Sequence, residues 1–261
     1  MPFIACEGAR VFWRTDGRPD APTLVLANSL GSDTSLWDRM LPALIRDFHV
    51  IRLDLPGHGA SSISGPRAEW TIPELASHVL HVAEAAGAAR FSFVGVSIGG
   101  MIGLWLAANT SRVQRLVASN TSATVDAAVW TERLRIAGDK GLSALVDGTM
   151  QRWFSAAFLA SGSPELATIR EHFLQVDPKG YIGCCAAIRD VDLHGNLQRI
   201  TTPTLVISGT HDVAMPPVAG RAIASAIPKA RYLELPVAHI PHIEKPDPFL
   251  EAVLQHLSFA D

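Results

Sequence analysis

The chain has 261 residues, enough for one large domain, or one domain carrying an insertion, with a sizeable buried core. Hydrophobic residues make up 48% and charged residues 18%, which excludes an intrinsically disordered chain. The formal net charge is -3 with both signs scattered and no Lys/Arg block, which argues against nucleic acid or an acidic membrane surface as a partner.

The opening segment MPFIACEGARVFW lacks a basic region followed by an apolar run, so no signal peptide is expected. No uncharged apolar stretch reaches the roughly 18 residues of a membrane span. FIACEG and VFWRT read as an N-terminal hairpin. Short buried strands follow at TLVLAN (23–28), HVIRLD (49–54), FSFVG (91–95), VQRLVASN (113–120), TLVIS (204–208) and RYLEL (231–235), rich in Val, Leu and Ile and bounded by turn residues. Helical patterns lie between them at about 36–47, 71–87, 98–109, 215–227 and 246–257. Strands alternating with helices predict an α/β fold, a mostly parallel sheet covered on both faces.

The alternation lapses over 124–195, where AAVWTERLRIAG, LSALVDGTMQRWFSAAFL and ELATIREHFLQV are amphipathic helical segments. This stretch is expected to be a helical cap, or lid, inserted into a core made of 1–123 and 196–261. Cys6, Cys184 and Cys185 form a poor disulfide framework, and no CxxC with partner histidines suggests zinc. Reduced, packed cysteines in a cytoplasmic protein are the expectation.

GVSIG (95–99) matches G-x-S-x-G between a strand and a helix, the context of a nucleophile elbow. Ser97 would sit on a strained turn, and Gly95 and Gly99 would let strand and helix backbones approach. A nucleophilic serine needs a base, and the base needs an orienting acid. Asp212 follows the strand TLVIS and His239 follows RYLEL, so both fall at carboxyl ends of strands, where open α/β sheets place their sites. Rivals are His242 as base and Asp126 as acid. His58 is expected to order a loop, and His211 to neighbour the acid turn. The oxyanion needs two backbone N–H donors. Ile98 follows the nucleophile, and Leu30 lies in the loop 27–37, which Asn28 and Ser29 would shape.

GVSIGG, DLPGHGAS, GTHDVAMPP and AHIPHIEKPDPF resemble the α/β-hydrolase superfamily across essentially the whole chain. Within it the sequence is similar to the 3-oxoadipate enol-lactonases, on NSLGSDTSLWDRMLPAL (28–44), MQRWFSAAFL (150–159) and DPKGYIGCCAAIRDVDL (177–193). It departs from them at GVSIGG, where Leu-Ser-Met is more common; Val96 and Ile98 keep the apolar character. The resemblance implies hydrolysis of a small anionic enol-lactone in aromatic-acid catabolism, through an acyl-enzyme on Ser97, with no metal or organic cofactor. It gives Cys184 and Cys185 a role as packed lid residues. An anionic substrate would want a cation in an apolar pocket. Arg133 is the first choice among Arg133, Arg135, Arg152 and Arg189, with Trp130 and Trp153 as pocket walls. The rival functions are a general carboxylesterase or cofactor-free perhydrolase on the same triad, and a hydrolase-like small-molecule receptor.

Overall fold

Among residues 3–65 and 69–258, which a computed structural model describes, nine strands form one sheet. They are β1 (Phe3–Cys6), β2 (Ala9–Asp16), β3 (Thr23–Ala27), β4 (His49–Leu53), β5 (Ser62–Ile63), β6 (Phe91–Val96), β7 (Val113–Ser119), β8 (Thr204–Gly209) and β9 (Arg231–Leu235). The order is β1-β2-β4-β3-β6-β7-β8-β9, with the short β5 on β2. β1 and β2 form the expected hairpin, and β2 runs antiparallel to β4. Every pairing from β4 through β9 is parallel.

All six residues of β6 and all six of β8 are buried. Successive side chains of a strand point to opposite faces, so a strand buried at every position is covered on both. The helices Ile98–Asn109 and Pro246–Ser258 both pack on β7, and Pro217–Ala226 packs on β8 and β9. Helix Ile72–Ala85 begins with a capping box: Thr71 and Glu74 satisfy each other's backbone amides, and proline stands in the first turn.

The continuous helix expected over 36–47 is broken into a 3-10 turn, Thr34–Trp37, and a short helix, Leu41–Leu44. Asp33 starts the turn early by accepting the Ser35 amide. Pro42 then has no N–H to carry an α-helical ladder across the gap. Between β7 and β8 the chain is helical, from Ala127–Lys140 through Val146–Trp153, Pro164–Gln175 and Pro178–Arg189. One antiparallel bridge, Thr124 to Asp192, closes the base of this excursion. Cys184 and Cys185 are buried free thiols, and Cys6 is a half-buried one. Burial pushes the Cys185 thiol up to about 12.

The loop after β3 is held from below by Arg52, whose side chain is fully buried. Its guanidinium donates to Asp16 Oδ2 at 2.8 Å, to the Thr34 carbonyl at 2.7 Å and to Asp38 Oδ1 at 2.5 Å. Asp54 pins the same loop by accepting the Thr34 amide at 2.7 Å and the Ala60 amide at 2.9 Å. One cation thus joins β2, β4 and the segment that approaches the serine. Arg52→Met keeps most of the buried volume and deletes these bonds. The expected cost is about 2–3 kcal/mol, below the figure for a sealed ion pair because the Asp38 side chain is 60% exposed. Urea unfolding of the variant against the native chain measures it.

Candidate active site

Ser97 closes β6 and opens the helix Ile98–Asn109 with φ 61° and ψ -122°, a conformation an L-residue rarely adopts. The turn needs its glycines: a Cβ on Gly95 would run into the Gly99 carbonyl, and one on Gly99 into the Ala27 carbonyl. Bonds from the next strand hold it. The Ser97 amide donates to the Ser119 carbonyl at 3.0 Å, and Thr121 Oγ1 donates to the Ser97 carbonyl at 2.7 Å.

Asp212 lies three residues past β8, and its carboxylate is surrounded by N–H donors. Oδ1 accepts the amides of Ala214 at 2.8 Å and Met215 at 2.9 Å. Oδ2 accepts Asn120 Nδ2 at 3.0 Å and stands 2.8 Å from His239 Nδ1. His239 is itself fixed through its backbone: its amide and that of Ile240 both donate to the Trp153 carbonyl, at 3.0 and 3.2 Å. Both side chains of the Asp212–His239 pair are almost completely buried.

Ser97 and His239 line one cavity with Ser29, Leu30, Trp130, Arg133, Thr149, Arg152, Trp153, Ala214 and Met215. Among the described residues, neither the Leu30 nor the Ile98 amide donates to another group of the chain. Asn28 shapes the loop below Leu30, donating to the Leu53 carbonyl at 2.9 Å and accepting Trp37 Nε1 at 2.9 Å. Ser32 Oγ bonds the Ser29 carbonyl at 2.8 Å.

The two arginines of the cavity differ. Arg133 Nε donates to Tyr181 Oη and Nη2 to Thr149 Oγ1, both at 2.6 Å. Arg152 is half-buried and has no hydrogen-bond acceptor among the described residues. Burial draws its guanidinium below the ordinary value, and the Arg133 charge adds to the effect. Arg135 and Arg189 are not pocket residues: the first pairs with Glu132 and Asp139, the second with Asp190 and Glu69.

The rivals are placed elsewhere. Asp126 caps the helix Ala127–Lys140 by accepting the Ala128 amide. His58 Nδ1 lies 2.9 Å from the Pro56 carbonyl in the loop it was expected to order, and burial draws the ring down to about 4. His211 is exposed and precedes the acid. His242 is stacked on Trp37, ring centroids 4.2 Å apart and planes 9° from parallel, outside the cavity. Sequence reasoning passed over Asn120, Thr121 and Thr149 and ranked Arg152 behind Arg133. A signal was present for Asn120: it follows directly on the strand lying between those that precede Ser97 and Asp212.

Burial draws the His242 ring down to about 3, so the folded protein keeps it neutral where the unfolded chain, with a value near 6.5, takes up a proton. The native state then binds fewer protons, and stability falls as pH drops from about 6.5 toward 3. His242→Phe is expected to flatten that slope, and urea midpoints between pH 7 and 4 check it.

A sequence profile described as the alpha/beta hydrolase fold matches residues 22–177. The chain is 32% identical to 3-oxoadipate enol-lactonase 2 of Acinetobacter baylyi, over 96% of this chain and 94% of that protein. It is 31% identical to a putative carbamate hydrolase, RutD, of Stutzerimonas stutzeri, over 92% and 93%. The crystal structure of an enol-lactonase from Burkholderia xenovorans LB400 superposes with a TM-score of 0.96 at 40% identity, covering 99% of this chain and 100% of that one. The chain belongs to the α/β-hydrolase family, and it is a carboxylic ester hydrolase.

Proposed function

We propose that this enzyme opens a small anionic enol-lactone, converting 3-oxoadipate enol-lactone to 3-oxoadipate in the catabolism of aromatic acids. The observation that carries this reading is the charge of the cavity. It has two guanidinium groups, Arg133 and Arg152, and no carboxylate among its lining residues, beside a serine and an aspartate-paired histidine. A desolvated cation pair is costly unless an anion arrives to share it. The kinship with enol-lactonases supports the substrate.

In this reading His239 takes the Ser97 proton while Asp212, at its Nδ1, fixes the tautomer and stabilises the imidazolium. Ser97 attacks the lactone carbonyl. The oxyanion rests on the Leu30 and Ile98 amides, which the chain leaves available. The ring opens with an enolate leaving group, easier to expel than an alkoxide. Water activated by His239 then releases the acid. Neither half-reaction calls for a metal or an organic cofactor.

Trp130 and Trp153 wall the pocket, and the helical segment 124–195 acts as its lid. Arg133 is tied to Tyr181 and Thr149, so it serves as the rigid cation, while Arg152 supplies the free fork for the substrate carboxylate. Reduced buried thiols fit a cytoplasmic enzyme. Among the described residues, no helix is long and apolar enough to cross a membrane.

Spectrophotometric assay of the enol-lactone of 3-oxoadipate tests the reading. The native protein should consume it and Ser97→Ala should lose at least about 1,000-fold in kcat. Lactone absorbance that stays constant with the native protein removes this substrate; hydrolysis of neutral esters alone would then point to a general carboxylesterase. Arg152→Met should raise KM for the lactone by about 10- to 100-fold, the weight of a charge-assisted contact, and leave KM for p-nitrophenyl acetate within about twofold. Equal changes on both substrates would remove Arg152 from carboxylate binding.

A further inference from the structure

Three consecutive residues past the middle of the sheet touch both sides of the site without lining its cavity. Ser119 ends β7, and Asn120 and Thr121 follow it. On one side Ser119 O accepts the Ser97 amide, and Thr121 Oγ1 donates to Ser97 O. On the other, Asn120 Nδ2 donates to Asp212 Oδ2 at 3.0 Å and to the Ala238 carbonyl, next to His239, at 2.9 Å. The Asn120 amide donates to Ile207 O of β8 at 2.8 Å, and Ser119 Oγ donates to Asn120 Oδ1 at 2.7 Å, which fixes which way the carboxamide faces.

Room for these bonds has been cleared. A Cβ on Gly209 would strike the Ala238 and Val237 carbonyls and stand 3.0 Å from Asn120 Nδ2, and one on Gly100 would fall 2.7 Å from Thr121 Cβ. Asn120 also holds φ 48°, a conformation costly for most L-residues and best tolerated by Gly, Asn and Asp.

We propose that Ser119, Asn120 and Thr121 form a positioning bracket, in which Asn120 sets Asp212, and through it His239, while Thr121 and the Ser119 carbonyl set Ser97. The inference rests on the reading of Ser97, Asp212 and His239 given above. It makes Asn120 and Thr121 positioning residues, since neither lines the cavity. The bracket lies at the end of the strand between those that precede Ser97 and Asp212, so one segment fixes the span from nucleophile to acid.

The Asn120 N–H helps hold the Asp212 carboxylate where it meets His239 Nδ1. Without it the carboxylate can turn, and the imidazole is no longer fixed in the tautomer that accepts the Ser97 proton. The other charged groups about the pair stay constant in the comparison. Arg133 and Arg152 face it across the cavity. Glu244 Oε2 accepts the Ala238 amide, and exposed His211 precedes Asp212.

The test uses the full chain, with p-nitrophenyl acetate and the enol-lactone assayed in parallel from pH 5 to 9. Asn120→Gly removes the carboxamide while keeping the positive φ comfortable. Its kcat should fall about 10-fold or more on both substrates with KM within about twofold. A kcat within about twofold of the native value, or a loss carried by KM instead, overturns the Asn120 half. Ser119→Ala, which only frees the carboxamide to turn, should lower kcat in the same sense with KM held. It decides the point if the glycine variant is not recovered folded. Thr121→Val should lower kcat about 10-fold on both substrates with KM within about twofold; an unchanged kcat overturns the Ser97 half. The ester keeps the two readings apart. Activity surviving Ser97→Ala defeats the triad and the bracket together, whereas inertness to the lactone with ester turnover intact defeats only the substrate.

Discussion

The site depends on four adjacent parallel strands, β6 to β9, whose carboxyl ends share one edge of the sheet. Parallel strands lie about 4.8 Å apart, so groups at their carboxyl ends fall within reach of one another without long loops. Ser97 leaves β6, Asn120 leaves β7, and Asp212 and His239 follow β8 and β9 within three or four residues. The register is held by buried, bonded backbone that few side-chain changes can shift. Hence each of these side chains needs only a short turn rather than a long loop to reach the others.

Backbone strain is concentrated. Of the three non-glycine residues with positive φ among those described, two are Ser97 and Asn120. Each is pinned on both sides: Ser97 by the bonds from Ser119 and Thr121, Asn120 by Ile207, Asp212 and Ala238. Conformations that cost of order 1–3 kcal/mol persist only where surrounding contacts over-determine them. The surroundings here include β6 and β8, buried at every position, which explains why the turns can be held at all.

The sheet was legible because its strands are uniformly apolar and punctuated by turn residues, and the elbow because G-x-S-x-G stood between a strand and a helix. The order of Ser97, Asp212 and His239 followed from chain order alone. Less could be read where one residue interrupts a pattern. The periodicity of 36–47 gave no hint that Asp33 and Pro42 would split the helix. Asn120 read as the last residue of a strand, because its partners lie 92 and 118 positions away and no local spacing encodes them. Arg133 and Arg152 were both visible as cations. Only the packed fold shows that the first is occupied by Tyr181 and Thr149.

The Trp153 carbonyl, which accepts both the His239 and the Ile240 amides, binds the end of one helix of the 124–195 segment to the loop that carries the histidine. Glu244 repeats the connection, with Oε2 taking amides from both Ser155 and Ala238. The helical segment is therefore not an interchangeable module. A chimera carrying another enzyme's helices on this sheet would inherit a new pocket wall and at the same time lose an anchor of its own histidine. The shape of the pocket and the placement of His239 are tied by main-chain atoms, and divergence of one constrains the other.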